Sequence, residues 1–541
     1  MVIIGGGVGG CAAALAAARA GLKVIMTEST DWIGGQFTAQ CLSAPDEHPY
    51  IEYFGRTASY ATYRELVRDF YRRHYPLTTR ARANRQLNPG DGWVSGLCHE
   101  PQVALSVLYQ MLAPYLSTGI LQILLQAAPV AADTNGDSIL SVTVKHQQSC
   151  ETTVLHGKYF LDATEAGELL AISNTEFVVG AEGRKATGEL HAADEANALD
   201  IQSITYCFAV DYVPNETFTI ERPQHYKRWK NYVPTLNPPW PGRLFAMHCS
   251  SPYHDAIRLF QFDPGLDRVR GERYVEDSSL RKVEDLWTYR RLLSKHHFAP
   301  GTYAGSITLV NWPQNDYWMG NVIGVAKDQM CAHLLEAKQL SLSFLYWLQT
   351  EAPRPDGGLG WPGLRLRKDI SGTEDGLAKT PYYRESRRIK AIYTVTEADI
   401  GRAQRAADTH TDPREVKASF FKDSVGVGLY RMDAHPTTGG RNYVDIDALP
   451  HQIPLGSMIP IRINNLIPAA KNIGTTHVSS TAYREHPIEW NVGESAGILA
   501  AYCLAHNAQP RAVHADPMMT EELQKTLLQQ GVELNWPAHI L

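Results

Sequence analysis

The sequence predicts an α/β protein: a parallel sheet wrapped by helices, a small β-meander attached to it, and a mixed α+β region inserted in the middle of the chain. Three observations carry this. The chain opens on an apolar run, a glycine-rich loop, a helix-like stretch of small residues and a second apolar run. A β-rich stretch with an Asn135-Gly136 turn comes later, followed by a long segment of weak periodicity. A strand-like run at Leu466 to Ala470 and a helix-like run from Gly493 to Leu504 then close the chain. At 541 residues more than one domain is expected. The sheet domain is expected at 1–200, the insertion at 201–445, and the return to the sheet domain at 446–541.

Taken in order, Met1 to Ile4 reads as a buried strand and Gly5 to Gly10 as a loop. Cys11 to Ala20 reads as a helix stopped by Gly21, and Leu22 to Met26 as a second strand that ends near Glu28. Such a βαβ unit implies parallel strands with a right-handed crossover. Tyr60 to His74 looks helical and polar, and Gln102 to Leu112 carries Val103, Val107 and Met111 at helical spacing. Ile120 to Leu125, Ser138 to His146 and Val154 to Leu161 are β-rich and read as an antiparallel meander. From Ile201 to Asp445 the chain is rich in Trp, Tyr, Pro and Arg, which suggests a substrate-binding region with long loops.

The composition is that of a soluble globular protein, with 44% hydrophobic and 20% charged residues. A formal net charge of -6 gives no general attraction to nucleic acid or to an anionic membrane. The eight cysteines are scattered singly, which argues against a zinc site or a disulfide redox pair and fits a reducing compartment. No basic segment precedes the apolar start, and the Ala-rich run at Cys11 to Ala20 is too short to span a bilayer. A cytoplasmic protein with a small-molecule substrate is expected, with no metal, nucleic acid or membrane partner; a homo-oligomer is compatible with the sequence.

The strongest local signal is Gly5-Gly6-Gly7-Val8-Gly9-Gly10, which satisfies G-x-G-x-x-G at Gly5, Gly7 and Gly10. Gly5 permits a tight turn off the strand, Gly7 lets backbone approach a pyrophosphate, and Gly10 lets the helix pack on the sheet. The helix N-terminus offers free N–H groups to phosphates. Glu28, followed by Ser29, ends the second strand, where a carboxylate can accept hydrogen bonds from ribose hydroxyls. This is the Rossmann-like dinucleotide fingerprint. Three further segments favour FAD over NAD: Asp31-Trp32-Ile33-Gly34-Gly35-Gln36, the strand and turn at Tyr159 to Gly167, and the strand and turn at Asn465 to Gly474.

With these segments in place, the chain resembles the FAD-dependent oxidoreductases of the broad glutathione reductase and fumarate reductase-like superfamily, and in particular a bacterial family of that name. Similar stretches run almost end to end, among them Ser43 to His48, Leu309 to Asp316, Arg384 to Lys390 and Arg484 to Glu494. The resemblance implies FAD as cofactor. Gly5, Gly7, Val8 and Gly10 would hold the pyrophosphate, and Glu28 with Ser29 the ribose. Gly34, Gly35 and Gln36 would lie along the ribityl chain and ring, and Val130 would present its backbone to the adenine. Ala163 and Thr164 would take the place of an Ala-Thr-Gly turn. Asn472 stands where many relatives have a ribityl-binding Asp, and Gly493 opens the closing helix.

A flavin takes hydride at N5 while a base takes a proton from the adjacent heteroatom. His is suited to that role near neutral pH, so His477, His48 and His486 are the candidates, each of which also reads as a structural histidine bonded to backbone. Arg365, Arg367, Lys368, Arg384, Arg387, Arg388 and Lys390 read as a solvated face paired with Glu374, Asp375, Glu385 and Glu397, or as an anion site. Trp312, Tyr317, Trp318, Tyr382 and Tyr383 suit a pocket wall or a core, and Cys41 reads as a buried thiol rather than a flavin link. Hydride transfer between a small organic substrate and FAD is the expected function. The alternatives are a flavin monooxygenase and a non-catalytic FAD-binding protein.

Overall fold

The computed structural model describes residues 1–251, 257–269 and 283–541. Strand β1 (Val2–Ile4) is buried throughout, and helix α1 (Val8–Arg19) follows the glycine loop at once. The helix begins three residues before the expected Cys11, because Gly9 and Gly10 are helical despite their poor propensity. Packing decides there: a Cβ on Gly10 would overlap the Gly5 carbonyl. Strand β2 (Val24–Glu28) pairs parallel with β1 through Val2↔Ile25 and Ile3↔Met26.

Helix α2 (Ala58–His74) is less exposed than its polar sequence suggests. It buries Tyr60, Tyr63, Arg64, Val67, Arg68 and Tyr71, with Arg64 paired to Glu47 and Glu52. Helix α3 (Pro101–Ser117) runs past the expected end at Leu112. Strand β3 (Leu121–Leu125) corrects the expected meander: it joins the main sheet, parallel to β2 from Val24↔Leu121 to Glu28↔Leu125. The meander is β4 (Ala127–Asn135), β5 (Ser138–His146) and β6 (Thr152–His156). Its first strand is hidden in the sequence because Ala, Pro, Asp and Asn dominate it, none of them strand formers. The Asn135-Gly136 turn closes the β4–β5 hairpin as expected, with Asn135 opposite Ser138. Strand β7 (Phe160–Asp162) then returns parallel to β1.

The middle of the chain is more ordered than its weak periodicity suggests. Strands β8 (Phe208–Tyr212), β9 (Arg291–Leu293), β10 (Ile307–Val310) and β11 (Leu364–Leu366) form an antiparallel sheet in the order β9-β10-β8-β11. The 24-residue helix α4 (Lys327–Thr350) was not expected. Its first half is polar, and its apolar face appears only in the second half, at Leu340, Phe344 and Leu348, where it shares a core with Phe208, Val310 and Leu364.

Strand β12 (Leu466–Pro468) pairs with β7 and completes a five-stranded parallel sheet in the order β12-β7-β1-β2-β3. The closing helix α5 (His486–His506) starts well before the expected Gly493, with Pro487 in its first turn. It crosses α1 at backbone distance: a Cβ on Gly493 would run into Gly9, and one on Gly497 would lie 2.6 Å from the Ala13 carbonyl oxygen. This contact sets the N-terminus of α1 against the ends of β1, β7 and β12.

Candidate functional site

The carboxyl ends of β1, β2 and β7 meet the N-terminus of α1 in a narrow cleft of about 80 Å³. Gly5, Gly7, Glu28, Ser29, Gly35, Ala163 and Thr164 line it. Gly5 has φ +100, and a Cβ there would overlap the Ala163 carbonyl, so only glycine can make this turn. No side chain caps α1 at Gly7, which leaves its first N–H groups free for an anion. The Glu28 carboxylate accepts from the Gly6 N–H at 3.1 Å, the Thr30 N–H at 2.7 Å and the Ser29 hydroxyl at 3.3 Å. Burial is the largest influence on Glu28 and pushes its carboxyl up to about 7.

The cleft also holds polar atoms without partners, which is what a bound polar ligand would answer. Both amide atoms of the buried Gln40 lack one, and so does Glu165 Oε1. Glu165 forms an ion pair with Lys471, and its carboxylate stands between two glycines: a Cβ on Gly7 would lie 2.8 Å from Oε1, and one on Gly35 2.6 Å. That slot is where the loop faces the turn at Gly34-Gly35, so a pyrophosphate would need the Glu165 side chain to swing aside on its rotatable bonds. The ring of donors and acceptors otherwise fits a dinucleotide: a ribose-reading carboxylate, free helix amides and two glycine turns.

The other residues named from sequence fall in several places. Val8 and Gly10 are buried within α1, and Gly34 takes φ +107. Gln36 is buried deep, with Nε2 donating to the Arg484 carbonyl at 3.0 Å and to Glu489 at 2.7 Å, while its Oε1 has no partner. Val130 is 47% exposed and does not line the cleft; its neighbours Ala127 and Pro129 do. Asn472 ties two strand ends together: Nδ2 donates to the Asp162 carbonyl at 3.0 Å and Oδ1 accepts from the Ala470 N–H. Gly493 lies at the α1 crossing rather than on the cleft wall.

Beyond the short strand Tyr382–Tyr383 lies a second, much larger cavity of about 670 Å³. Tyr383 lines the cleft and Tyr382 the cavity, as alternation along a strand requires. Its wall carries Arg258, Arg290, Arg384, Arg431 and Arg484, with Asp46, Asp433 and Glu485 among the acids. Arg258 is matched by Glu284 at 2.7 and 2.5 Å, Arg290 by Asp46 at 3.0 Å, and Arg384 by Asp316 at 3.0 Å. Glu485 lies 3.4 Å from Arg484, with its Oε2 buried and unpartnered. Burial pushes the Glu485 carboxyl up to about 8; Asp46 and Asp433 push the same way, against the pull of Arg484 and Arg290.

None of the three candidate histidines lines this cavity or the cleft. His48 bonds the Gly55 carbonyl at 3.1 Å and packs edge-on against Trp536. His486 accepts the Asp46 N–H on Nδ1 at 3.2 Å and faces the Leu42 carbonyl with Nε2 at 3.0 Å. Burial pulls both rings down to about 4. His477 is buried, with Nδ1 3.1 Å from Glu385 and Nε2 unpartnered. Ligand atoms of Asp46, Glu485 and His486 lie within 4.8 Å of one another, but both ring nitrogens of His486 are engaged and Arg290 holds Asp46. Cys41 is a buried free thiol raised far above its usual range by burial.

The basic stretch is not one solvated face, because its arginines point to different partners. Arg388 is fully buried between Glu182 and Glu385, Arg384 faces Asp316, and Arg365 and Arg367 share Asp211. The sequence reading gave no role to Gln40, Glu165, Asp46 or Glu485. Asp46 and Glu485 do sit in the stretches Ser43 to His48 and Arg484 to Glu494, which carried the resemblance. As carboxylates they read as ordinary surface charges in the sequence.

The sequence profile described as FAD dependent oxidoreductase matches residues 1–527, and the chain belongs to that family. No curated protein sequence matches it. Among solved structures it is similar to a geranylgeranyl bacteriochlorophyll reductase-like protein from Thermoplasma acidophilum, at 9% identity over 98% of this chain and 83% of that one, with TM-score 0.29. It is also similar to the glycerol-3-phosphate dehydrogenase from Bacillus halodurans complexed with FAD, at 12% identity over 39% of each chain and TM-score 0.23. A third similar structure is the L-proline dehydrogenase from P. horikoshii, at 14% identity over 34% of this chain and TM-score 0.17. The match spans 23% of the proline dehydrogenase and 39% of the glycerol-3-phosphate dehydrogenase, less than half of either.

Proposed function

We propose that the protein transfers hydride between a small organic substrate, held in the large cavity, and FAD bound along the α1 cleft, with Glu485 carrying the accompanying proton. FAD supplies the two-electron acceptor when bound. Gly5, Gly7 and the α1 N-terminus would hold its pyrophosphate and Glu28 its ribose, with Gly34, Gly35, Gln36 and Gln40 on the path towards the cavity. The observation that carries the reading is the pairing of two sites across one strand, with Tyr383 on the dinucleotide cleft and Tyr382 on a cavity with a titratable wall.

On the cavity side the chain's own groups do three things. The aromatic residues Trp312, Tyr382, Tyr430 and Tyr443 exclude water and give the substrate a flat apolar surface. The arginines orient it. Glu485, whose buried carboxyl lies close to Asp46, is poised to exchange a proton near neutral pH. Of the three histidines, His48 and His477 each keep one ring nitrogen without a partner; His477, beside the buried Glu385 carboxylate, stands as the competing proton carrier.

Purified protein should be yellow and release intact FAD on denaturation. Colourless protein that cannot be reconstituted with FAD, yet binds NAD, would overturn the reading. Anaerobic bleaching by a small organic substrate without NAD(P)H is the expected reaction. Bleaching only by NAD(P)H, followed by oxygen-dependent product formation, would assign a monooxygenase instead.

A further inference from the structure

The large cavity has an excess of unmet hydrogen-bond donors. Nε of Arg290, Nε of Arg384, Nε of Arg484, Nδ2 of Asn311 and Nε1 of Trp312 are all buried without a partner, and all five side chains line this one cavity. Leaving a buried donor unmet is costly, and more so when it is charged, so a wall that keeps five of them is built for something that accepts. Two of the guanidiniums are also fixed in place. Arg384 and Arg484 both lie over the Tyr382 ring, at 4.8 and 5.8 Å, and Arg484 also bonds the Tyr382 hydroxyl. Arg384 donates in addition to Thr205 at 2.8 Å and to Asn311 at 3.2 Å. Stacked, pre-positioned guanidiniums recognise planar anions with little entropy left to lose.

We infer that the substrate of this cavity is an organic carboxylate, its anionic end held by Arg384 and Arg484 with Arg290 and Asn311, and its apolar body lying against the aromatic wall. The charge balance favours a carboxylate over a phosphate ester. Asp46, Glu284, Asp433 and Asp445 already face the five arginines, so a dianion would meet four acids. Arg484 has the weakest carboxylate partner of the five, at 3.4 Å. That partner, Glu485, has its carboxyl pushed up by burial and by Asp46 and Asp433, so it competes weakly with an incoming carboxylate for Arg484. Among the described residues the wall carries five arginines and no lysine, which suits a planar two-oxygen group.

The inference rests on the cavity being the substrate site, and it is tested by binding rather than turnover, so its failure and a failure of the FAD reading are separate events. Calorimetric titration of the purified protein with benzoate and with succinate should show binding by at least one, with Kd below about 1 mM. Benzamide has the shape of benzoate without its charge and should bind at least tenfold more weakly. Asn311→Asp keeps an acceptor for Arg384 but replaces the unmet donor with a negative charge, and it should abolish binding. Arg484→Gln should weaken binding by roughly ten- to a hundredfold, the usual worth of a charged hydrogen bond, and Arg484→Lys should restore part of it. Melting curves of each variant separate lost binding from lost folding, and the benzoate and benzamide comparison needs no variant. The inference is overturned if neither carboxylate binds, if benzamide equals benzoate, if a folded Asn311→Asp binds as well as the parent, or if inorganic phosphate binds more tightly than both carboxylates. FAD content, read from the same preparation, decides the cofactor question whichever way the titration falls.

Discussion

The cleft at the head of α1 takes its wall largely from backbone and from a few short runs of sequence, around Gly5, Glu28, Gly35 and Ala163. The cavity across the Tyr382–Tyr383 strand takes its wall from side chains that start at Asp46 and end at Glu485, far apart in the chain. The first is narrow and specified by glycines that keep side chains out of it; the second is wide and specified by charges that must be balanced against one another. Cofactor binding is therefore decided by sterics over a few residues, and substrate binding by a network that only the folded chain assembles.

The largest effect expected is on the cleft. In Gly7→Val, the added Cβ would lie 2.8 Å from Glu165 Oε1, the mobile end of a side chain, so the chain can still fold. The pyrophosphate, which needs the same space, cannot enter. Purified Gly7→Val should be folded by circular dichroism and carry no flavin. A yellow Gly7→Val protein with a full complement of FAD would break the steric account of the cleft.

The next effect belongs to the cavity. If Glu485 takes the proton as substrate is oxidised, it must be ionised to act. Its carboxyl is raised to about 8 by burial, with Asp46 and Asp433 adding to the rise, Arg484 and Arg290 opposing it, and His486 nearby. The rate of flavin reduction should then climb with pH through about 8 and level off above it. Glu485→Gln should retain FAD, lose that limb, and slow reduction by roughly 10²–10⁴, the usual range for general acid–base catalysis. Anaerobic stopped-flow across pH measures this, and an unchanged limb in the variant removes Glu485 from the proton step.

The same contrast explains what could be read from sequence. Gly5, Gly7, Gly10 and Glu28 sit within one βαβ unit, where local spacing is three-dimensional spacing, so their grouping was legible. Strand β4 was not, because poor strand formers dominate Ala127–Asn135 and its pairing comes from β5. The long helix Lys327–Thr350 was missed because half of it is polar and only its last turns face the core. The cavity was illegible as a unit: Arg290, Arg384 and Arg484 meet only through folding, and Arg384 in the sequence looks like one member of a basic surface run. Glu485 was hidden for a chemical reason as well, since a glutamate reads as a surface charge until burial changes its acidity.

A smaller effect sharpens the cleft. Glu28→Ala removes a carboxylate placed for ribose hydroxyls and leaves the glycine turn intact. The Gly6 N–H loses its acceptor at 3.1 Å and the Thr30 N–H its acceptor at 2.7 Å. FAD affinity should fall by about 1–3 kcal/mol, the worth of one charged hydrogen-bonding group, read as a higher Kd in flavin reconstitution. Loss of binding as complete as in Gly7→Val would mean that Glu28 shapes the loop rather than reads the ribose.

The smallest effect expected is at His477, and it decides whether Glu485 or His477 carries the proton. His477 follows the turn after β12, its Nδ1 lies 3.1 Å from Glu385, and its backbone N–H donates to Glu182 at 2.8 Å. Burial pushes the Glu385 carboxyl up, but His477 and Arg388 outweigh it and hold the group down at about 2. Glu385 is thus a fixed anion held by the Arg388 guanidinium and the His477 ring in a buried cluster. His477→Gln keeps a donor able to reach Glu385, and Arg388 at 2.7 Å still neutralises the carboxylate, so the fold should survive. With Glu485 as proton carrier, flavin reduction in His477→Gln should stay within roughly threefold of the parent, less than 1 kcal/mol of barrier. The unpartnered Nε2 makes the opposite outcome physically meaningful. If His477→Gln retains FAD but slows reduction as far as Glu485→Gln is expected to, and the pH-dependent limb disappears with it, the histidine is the proton carrier. The arginine-lined cavity would then hold the substrate without exchanging its proton.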